Sequence, residues 1–195
     1  MNDFIGVYDN ALSSNECKKI IQLFDNDLPK MPGTIGSGKD GKGRLEPEKK
    51  SCIEYKGSFD FANNALEFEV NKSIVNCLSK YTPLYRKDNY DLDQIQNWMV
   101  SPGYNIQKYE PEGAYFKLHC ENDGNHSVIR RMLVWMIYLN TVTDAGGTYF
   151  SQFDKTTDAV EGRVVIWPAF WTHFHKGIPS PTQIKYIATG WYNFE

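Results

Sequence analysis

The chain has 195 residues and a formal net charge of -3, long enough for one domain with a sizeable core and too acidic to hold nucleic acid by bulk electrostatics. Its 12 Tyr, 11 Phe and 5 Trp favour a β-rich fold packed around large side chains. Cys17, Cys52, Cys77 and Cys120 form neither a disulfide framework nor a CxxC pair, no apolar run is long enough to span a bilayer, and MNDFIGVYDN lacks the pattern of a signal peptide, so a soluble, cytoplasmic protein with reduced thiols and no membrane partner is expected.

Along the chain, Phe4-Ile5-Gly6-Val7-Tyr8 reads as a short strand. Ser13 and Glu16 then form a capping box, and Cys17, Ile20, Ile21 and Phe24 follow at helical spacing, which predicts a helix over 14–25. The segment MPGTIGSGKDGKGRLEPEKK (31–50) carries five glycines, two prolines and five basic residues. That composition packs no core and predicts a mobile loop or loose hairpin. Leu66, Val70, Ile74, Val75 and Leu78 lie on one face of a second predicted helix around 65–81. From residue 96 onward the pattern is β: segments 105–109, 115–121, 131–140, 147–150, 163–167 and 184–194 are short, aromatic and β-branched. Turn signals at Glu110-Pro111, Asp144-Ala145-Gly146-Gly147, Glu161-Gly162 and Pro179–Pro181 separate them. Helices first and strands second predict an α+β, mainly β chain, with helical support over 1–95 and a sandwich, barrel or jelly-roll core over 96–195.

The chemistry concentrates in that second half. Residues i and i+2 of a strand point to the same side, so His119 and Glu121 can grip one ion together. A third ligand on a distant strand would complete a two-histidine, one-carboxylate face with three open coordination positions, the arrangement a non-haem iron oxygenase needs. A lone His-x-Glu is more often a solvated surface pair, so the pattern gains weight only from its surroundings. In the last segment Lys185, Ile187, Thr189 and Trp191 share one face, and Ile184, Tyr186 and Ala188 share the other. An inward Lys185 costs several kcal/mol, roughly, unless an anion such as a dicarboxylate pairs with it. The alternatives are a lysine that snorkels to the surface or one that pairs with an internal acid.

From about Tyr104 to Trp191 the chain resembles the prolyl 4-hydroxylase-like branch of the 2-oxoglutarate/Fe(II) dioxygenases. The resemblance is carried by Tyr109, His119-Cys120-Glu121, Arg131, Tyr138-Leu139-Asn140, Gly146-Gly147-Thr148-Tyr149-Phe150, Glu161-Gly162-Arg163, and His175 with Lys185 ten positions on. It implies a double-stranded β-helix (jelly-roll) core buttressed by N-terminal helices. It also implies iron ligation by His119, Glu121 and His175, binding of the distal carboxylate of 2-oxoglutarate by Lys185, and a cosubstrate pocket lined by Tyr109, Tyr138, Thr189 and Trp191. Arg131 matches a position near the substrate side, although bracing a loop is an equal reading. The implied reaction is hydroxylation of an unactivated C–H bond, of a prolyl residue in a peptide or protein. Fe(II), 2-oxoglutarate and O2 would be consumed or used, succinate and CO2 released, and ascorbate would serve as reductant. The segment 31–50 would then close over the substrate as a lid.

The sequence departs from the family pattern where Glu121 stands for Asp and Phe116 for Tyr, with Tyr115 beside it. Asp123 is an alternative carboxylate ligand and His173 an alternative distal histidine, but His175-Lys176-Gly177-Ile178-Pro179 fits the family's His-x-Gly-x-Pro. Competing functions are a small-molecule hydroxylase, an inactive peptide-binding module, and a zinc hydrolase on the same three ligands.

Overall fold

The computed structural model describes residues 2–36, 43–62 and 64–195. Helix α1 (Ser14–Asn26) begins at the expected capping box: the Glu16 amide donates to Ser13 Oγ at 3.3 Å and the Ser13 amide to Glu16 Oε2 at 2.9 Å. Helix α2 (Ala65–Asp88) runs a further two turns beyond the predicted end, through Pro83. Tyr81 and Tyr85 extend its buried stripe at i, i+4 spacing, and Pro83 lies on the solvent side. There the carbonyl that loses its partner faces water, so the helix continues. Val75, assigned to the packed face, is instead 41% exposed, and Cys77 takes that place.

Among the described residues ten strands form two antiparallel sheets. They are β1 (Gly6–Tyr8), β2 (Met31–Pro32), β3 (Ile53–Ser58), β4 (Trp98–Tyr109), β5 (Arg131–Tyr138), β6 (Thr148–Phe150), β7 (Lys155–Thr157), β8 (Val164–Pro168), β9 (His175–Gly177) and β10 (Lys185–Phe194). The large sheet has the order β1-β8-β5-β10-β4-β3-β2, and the small one β7-β6-β9. Residues 1–95 therefore contribute three strands to the large sheet, beyond the two helices read as support. The segment 115–121, read as a strand, makes only isolated bridges, Lys50 with Tyr115 and His119 with His175.

Side-chain alternation divides the core into two clusters. On β5, Leu133, Trp135 and Ile137 face the helices, where they meet Ile20, Phe24, Ile74 and Leu78. Val134, Met136 and Tyr138 face the small sheet, with Phe150, Trp167 and Ile187. Strand β10 follows the expected split: Tyr186 and Ala188 join the helical cluster and Ile187 the inner one. The result is the jelly roll, buttressed on one side by α1 and α2.

The segment 31–50 is not structureless where it is described. Met31 and Pro32 pair with Glu54 and Ile53, Ile35 bridges Arg44 and is buried, and Lys50 is buried against Glu54 at 2.7 Å. Composition registers the glycines and charges but not the partners that lie across the chain. Residues 37–42, the middle of the proposed lid, lie outside the described residues. All four cysteines are free, and among the described residues no helix is long and apolar enough to cross a membrane.

Candidate active site

A cavity of about 440 Å³ opens between the two sheets. His119 and His175 come together there because their backbones form a reciprocal bridge: the His119 amide donates to His175 O at 3.0 Å and the His175 amide to His119 O at 2.8 Å. Two residues on, the amides of Glu121 and Asn122 both donate to Ala169 O, at 3.0 and 2.9 Å, which turns the Glu121 side chain toward the histidines. One ligand atom from each of His119, Glu121 and His175 lies within 4.8 Å of the others. Glu121 Oε1 is 3.3 Å from His119 Nε2 and 3.8 Å from His175 Nε2.

The hydrogen bonds on the far side of each ring determine what these nitrogens offer. His119 Nδ1 lies 2.8 Å from Lys117 O, and His175 Nδ1 lies 2.9 Å from His173 O. A carbonyl only accepts, so each Nδ1 carries the proton, and in the neutral ring Nε2 presents a lone pair to the cavity. Burial, followed by the neighbouring His175, holds the His119 pKa below its ordinary value, which keeps that ring neutral. Glu121 Oε2 accepts from Trp191 Nε1 at 2.9 Å and from Arg131 Nη1 at 3.0 Å, a pair of donors that favours the carboxylate form. With each Nδ1 engaged by a carbonyl, the two Nε2 atoms and Glu121 Oε1 converge on one point of the cavity. This donor set fits a divalent cation with open positions, iron included.

The other residues read as ligands lie elsewhere. Asp123 Oδ1 accepts from the Asn125 amide at 3.0 Å in an exposed turn. His173 donates Nε2 to Asp3 O at 2.8 Å and packs on Phe153, while its own carbonyl orients His175. Tyr115 stacks on His119 with ring centroids 3.7 Å apart, beside the departure at Phe116.

Lys185 lines the same cavity and is 4% exposed. Its ammonium donates to Gly146 O at 2.8 Å and Ile178 O at 3.3 Å and lies 4.9 Å from the centre of the Tyr109 ring. Gly146 presents that carbonyl from a left-handed turn, φ +76°, where a Cβ would also meet Val142 at 2.5 Å. Among the described residues no carboxylate pairs with Lys185, and burial pulls its pKa from 10.5 down to about 8. A buried cation with acceptors that are only carbonyls fits an incoming carboxylate.

The aromatic residues are committed more than their motif positions imply. Tyr109 donates its hydroxyl to Gln107 Oε1 at 2.7 Å, and the Tyr138 hydroxyl lies 2.8 Å from Thr148 Oγ1. Burial pushes both phenols up, so both stay protonated. Thr189 donates to Trp135 O at 2.9 Å. Arg131 and Trp191 both reach Glu121, and the guanidinium lies 3.6 Å from the centre of the Trp191 ring. Lys50, Glu54 and Gln107 also line the cavity, linked through Glu54 Oε2 at 2.7 and 3.4 Å. Sequence reasoning missed these three, because Lys50 and Glu54 read as loop charges and Gln107 as an ordinary strand residue.

Residues 104–193 match the model of the 2OG-Fe(II) oxygenase superfamily. No curated protein matches the chain. Among solved structures it is similar to a viral collagen prolyl hydroxylase from Paramecium Bursaria Chlorella virus-1 in complex with 2OG, at 17% identity, covering 98% of this chain and 97% of that one with a TM-score of 0.70. It is similar to a Trichoplax adhaerens prolyl hydroxylase in complex with a hypoxia inducible factor oxygen degradation domain peptide fragment, at 14% identity, 99% and 84% coverage and a TM-score of 0.73. A Pseudomonas putida prolyl-4-hydroxylase follows at 13%, 97% and 92%, with 0.64.

Proposed function

We propose, for a chain whose residues 104–193 belong to the 2OG-Fe(II) oxygenase superfamily and whose fold is that of its prolyl 4-hydroxylase-like branch, that His119, Glu121 and His175 hold the iron, that Lys185 holds the distal carboxylate of 2-oxoglutarate, and that the substrate is a prolyl residue of a peptide or protein. The chain is a 2-oxoglutarate dioxygenase, and its cofactors are Fe(II), 2-oxoglutarate and O2. The observation that carries the residue assignment is the presence, in one cavity, of a His-Glu-His cluster able to hold a metal ion and a buried lysine with no anionic partner among the described residues.

When bound, the iron and 2-oxoglutarate supply O2 activation coupled to decarboxylation, with succinate and CO2 released and an oxygen atom inserted into a C–H bond. The protein's part is geometry and exclusion. His119 and His175 offer Nε2 because backbone carbonyls hold Nδ1–H. Lys185 selects a dicarboxylate of the right length, since in its absence a desolvated ammonium has only carbonyl partners. Tyr138, Thr148, Trp167 and Ile187, all buried, line the cavity and would limit water beside the bound group. Ascorbate as the reductant rests on the family resemblance.

The prolyl substrate is supported by the fold, whose similar structures are named as prolyl hydroxylases, one of them with a bound peptide fragment. The cavity is also lined by the polar residues Lys50, Glu54, Lys56 and Asn105. The test is 2-oxoglutarate turnover, read as succinate release, with proline-containing peptides, free amino acids and no added substrate. Peptide-dependent succinate, with hydroxyproline in the product, is expected. Turnover stimulated only by a free amino acid would replace the substrate, and tight binding of peptide with no turnover would favour an inactive binding module.

A further inference from the structure

Glu121 carries one more methylene than an aspartate would, and therefore one more torsion with which to swing its second oxygen toward a bound ion. Its two oxygens face opposite ways here. Oε1 lies toward both histidines, at 3.3 and 3.8 Å, whereas Oε2 points away and accepts from Trp191 Nε1 at 2.9 Å and Arg131 Nη1 at 3.0 Å. Those donors come from neighbouring strands at a common irregularity. The pairing of β10 with β4 shifts register between Gly190 and Tyr192, around Trp191, and its pairing with β5 shifts between Tyr192 and Asn193, opposite Arg131. Bulges of this kind redirect a side chain. The guanidinium lies over the indole, 3.6 Å from its ring centre, and a second contact runs from Nη1 to Glu121 O at 3.3 Å.

We propose that Arg131 and Trp191 are positioning residues that hold Oε2 of Glu121 away from the metal, so that this longer carboxylate presents a single oxygen and leaves three coordination positions open. The inference rests on the reading of His119, Glu121 and His175 as metal ligands. A chelating Glu121 would fill one of the positions that 2-oxoglutarate and O2 require. Arg131 is then not a free cation for an anionic substrate, since its charge is matched by Glu121.

Cobalt(II) added to the metal-free protein reads this directly, by affinity and by the intensity of its visible d–d bands, which fall as coordination number rises. Wild type is compared with His175→Ala, Trp191→Phe and Arg131→Gln. His175→Ala loses tight cobalt binding, and wild-type affinity in that variant would overturn the ligand assignment itself and the clamp with it. Trp191→Phe and Arg131→Gln are each expected to weaken cobalt about tenfold and, at saturating cobalt, to give weaker bands than wild type. The spectrum is read on the metal-loaded, folded fraction, so a variant that merely loses stability does not imitate it. Wild-type band intensity and affinity in both variants, with His175→Ala still defective, would overturn the clamp and leave the ligand assignment standing.

Discussion

Two lysines are buried in the same cavity and meet opposite fates. Lys50 has Glu54 at 2.7 Å, with Gln107 and Thr34 completing the network. Lys185, with almost the same exposure, has two carbonyls, the face of Tyr109 and, among the described residues, no carboxylate. A compensated buried pair is a structural element, because both charges are matched inside the protein. An uncompensated one is a cost the fold carries until an anion arrives. The contrast separates the part of the cavity whose charges are matched from the part proposed to take the cosubstrate.

The largest effect is expected from Glu54→Gln. The substitution strands Lys50 and is expected to destabilise the protein by about 3–5 kcal/mol, read as a lowered midpoint in urea. Replacing both partners together, Lys50→Met with Glu54→Leu, should recover most of that loss. Lys185→Met should do the reverse. The metal-free protein keeps or gains stability, while 2-oxoglutarate binding weakens by about 2–5 kcal/mol, or roughly thirty- to several thousand-fold, in an equilibrium titration.

The pH dependence sharpens the same contrast. The Lys185 pKa falls from 10.5 to about 8 on folding, so between those values the unfolded chain binds more protons. Its contribution disfavours folding fully below pH 8, and that penalty is relieved as pH rises from 8 to 10.5. The affinity for 2-oxoglutarate should move the other way and fall as pH passes 8, because the carboxylate needs the ammonium. A flat affinity from pH 7 to 9.5 in wild type would contradict the role given to Lys185. The smallest effect belongs to Lys56, which lies 3.6 Å from Glu54 with its side chain half exposed. Lys56→Ala should change stability by no more than about 0.5 kcal/mol.

How far the site can be read from sequence follows the distance over which each contact is set. His119, Glu121, His175 and Lys185 stand in local motifs whose spacing survives without knowledge of the fold. The capping box of α1 and the alternation along β10 are equally local, and both were legible. Strand β3 was not, because IEYKGS has no apolar run and is defined by its neighbour β4. The Lys50–Glu54 pair was hidden for the same reason. The segment 115–121 brings His119 and Glu121 to one side as a strand would, yet the bridge to His175 and the two amides on Ala169 do this in place of a strand ladder. Trp191 and Arg131 were assigned to cosubstrate and substrate by position, whereas their contact with Glu121 depends on two register shifts that no pattern announces.

The most direct test of the account is the anaerobic titration of 2-oxoglutarate into Fe(II)-loaded protein, followed by the visible charge-transfer band of the chelate. Wild type should develop the band, His175→Ala should not, His173→Ala should retain it, and Lys185→Met should need far more 2-oxoglutarate to reach it. A folded, iron-loaded wild type with no band at saturating 2-oxoglutarate, or a Lys185→Met titration identical to wild type, would contradict the account.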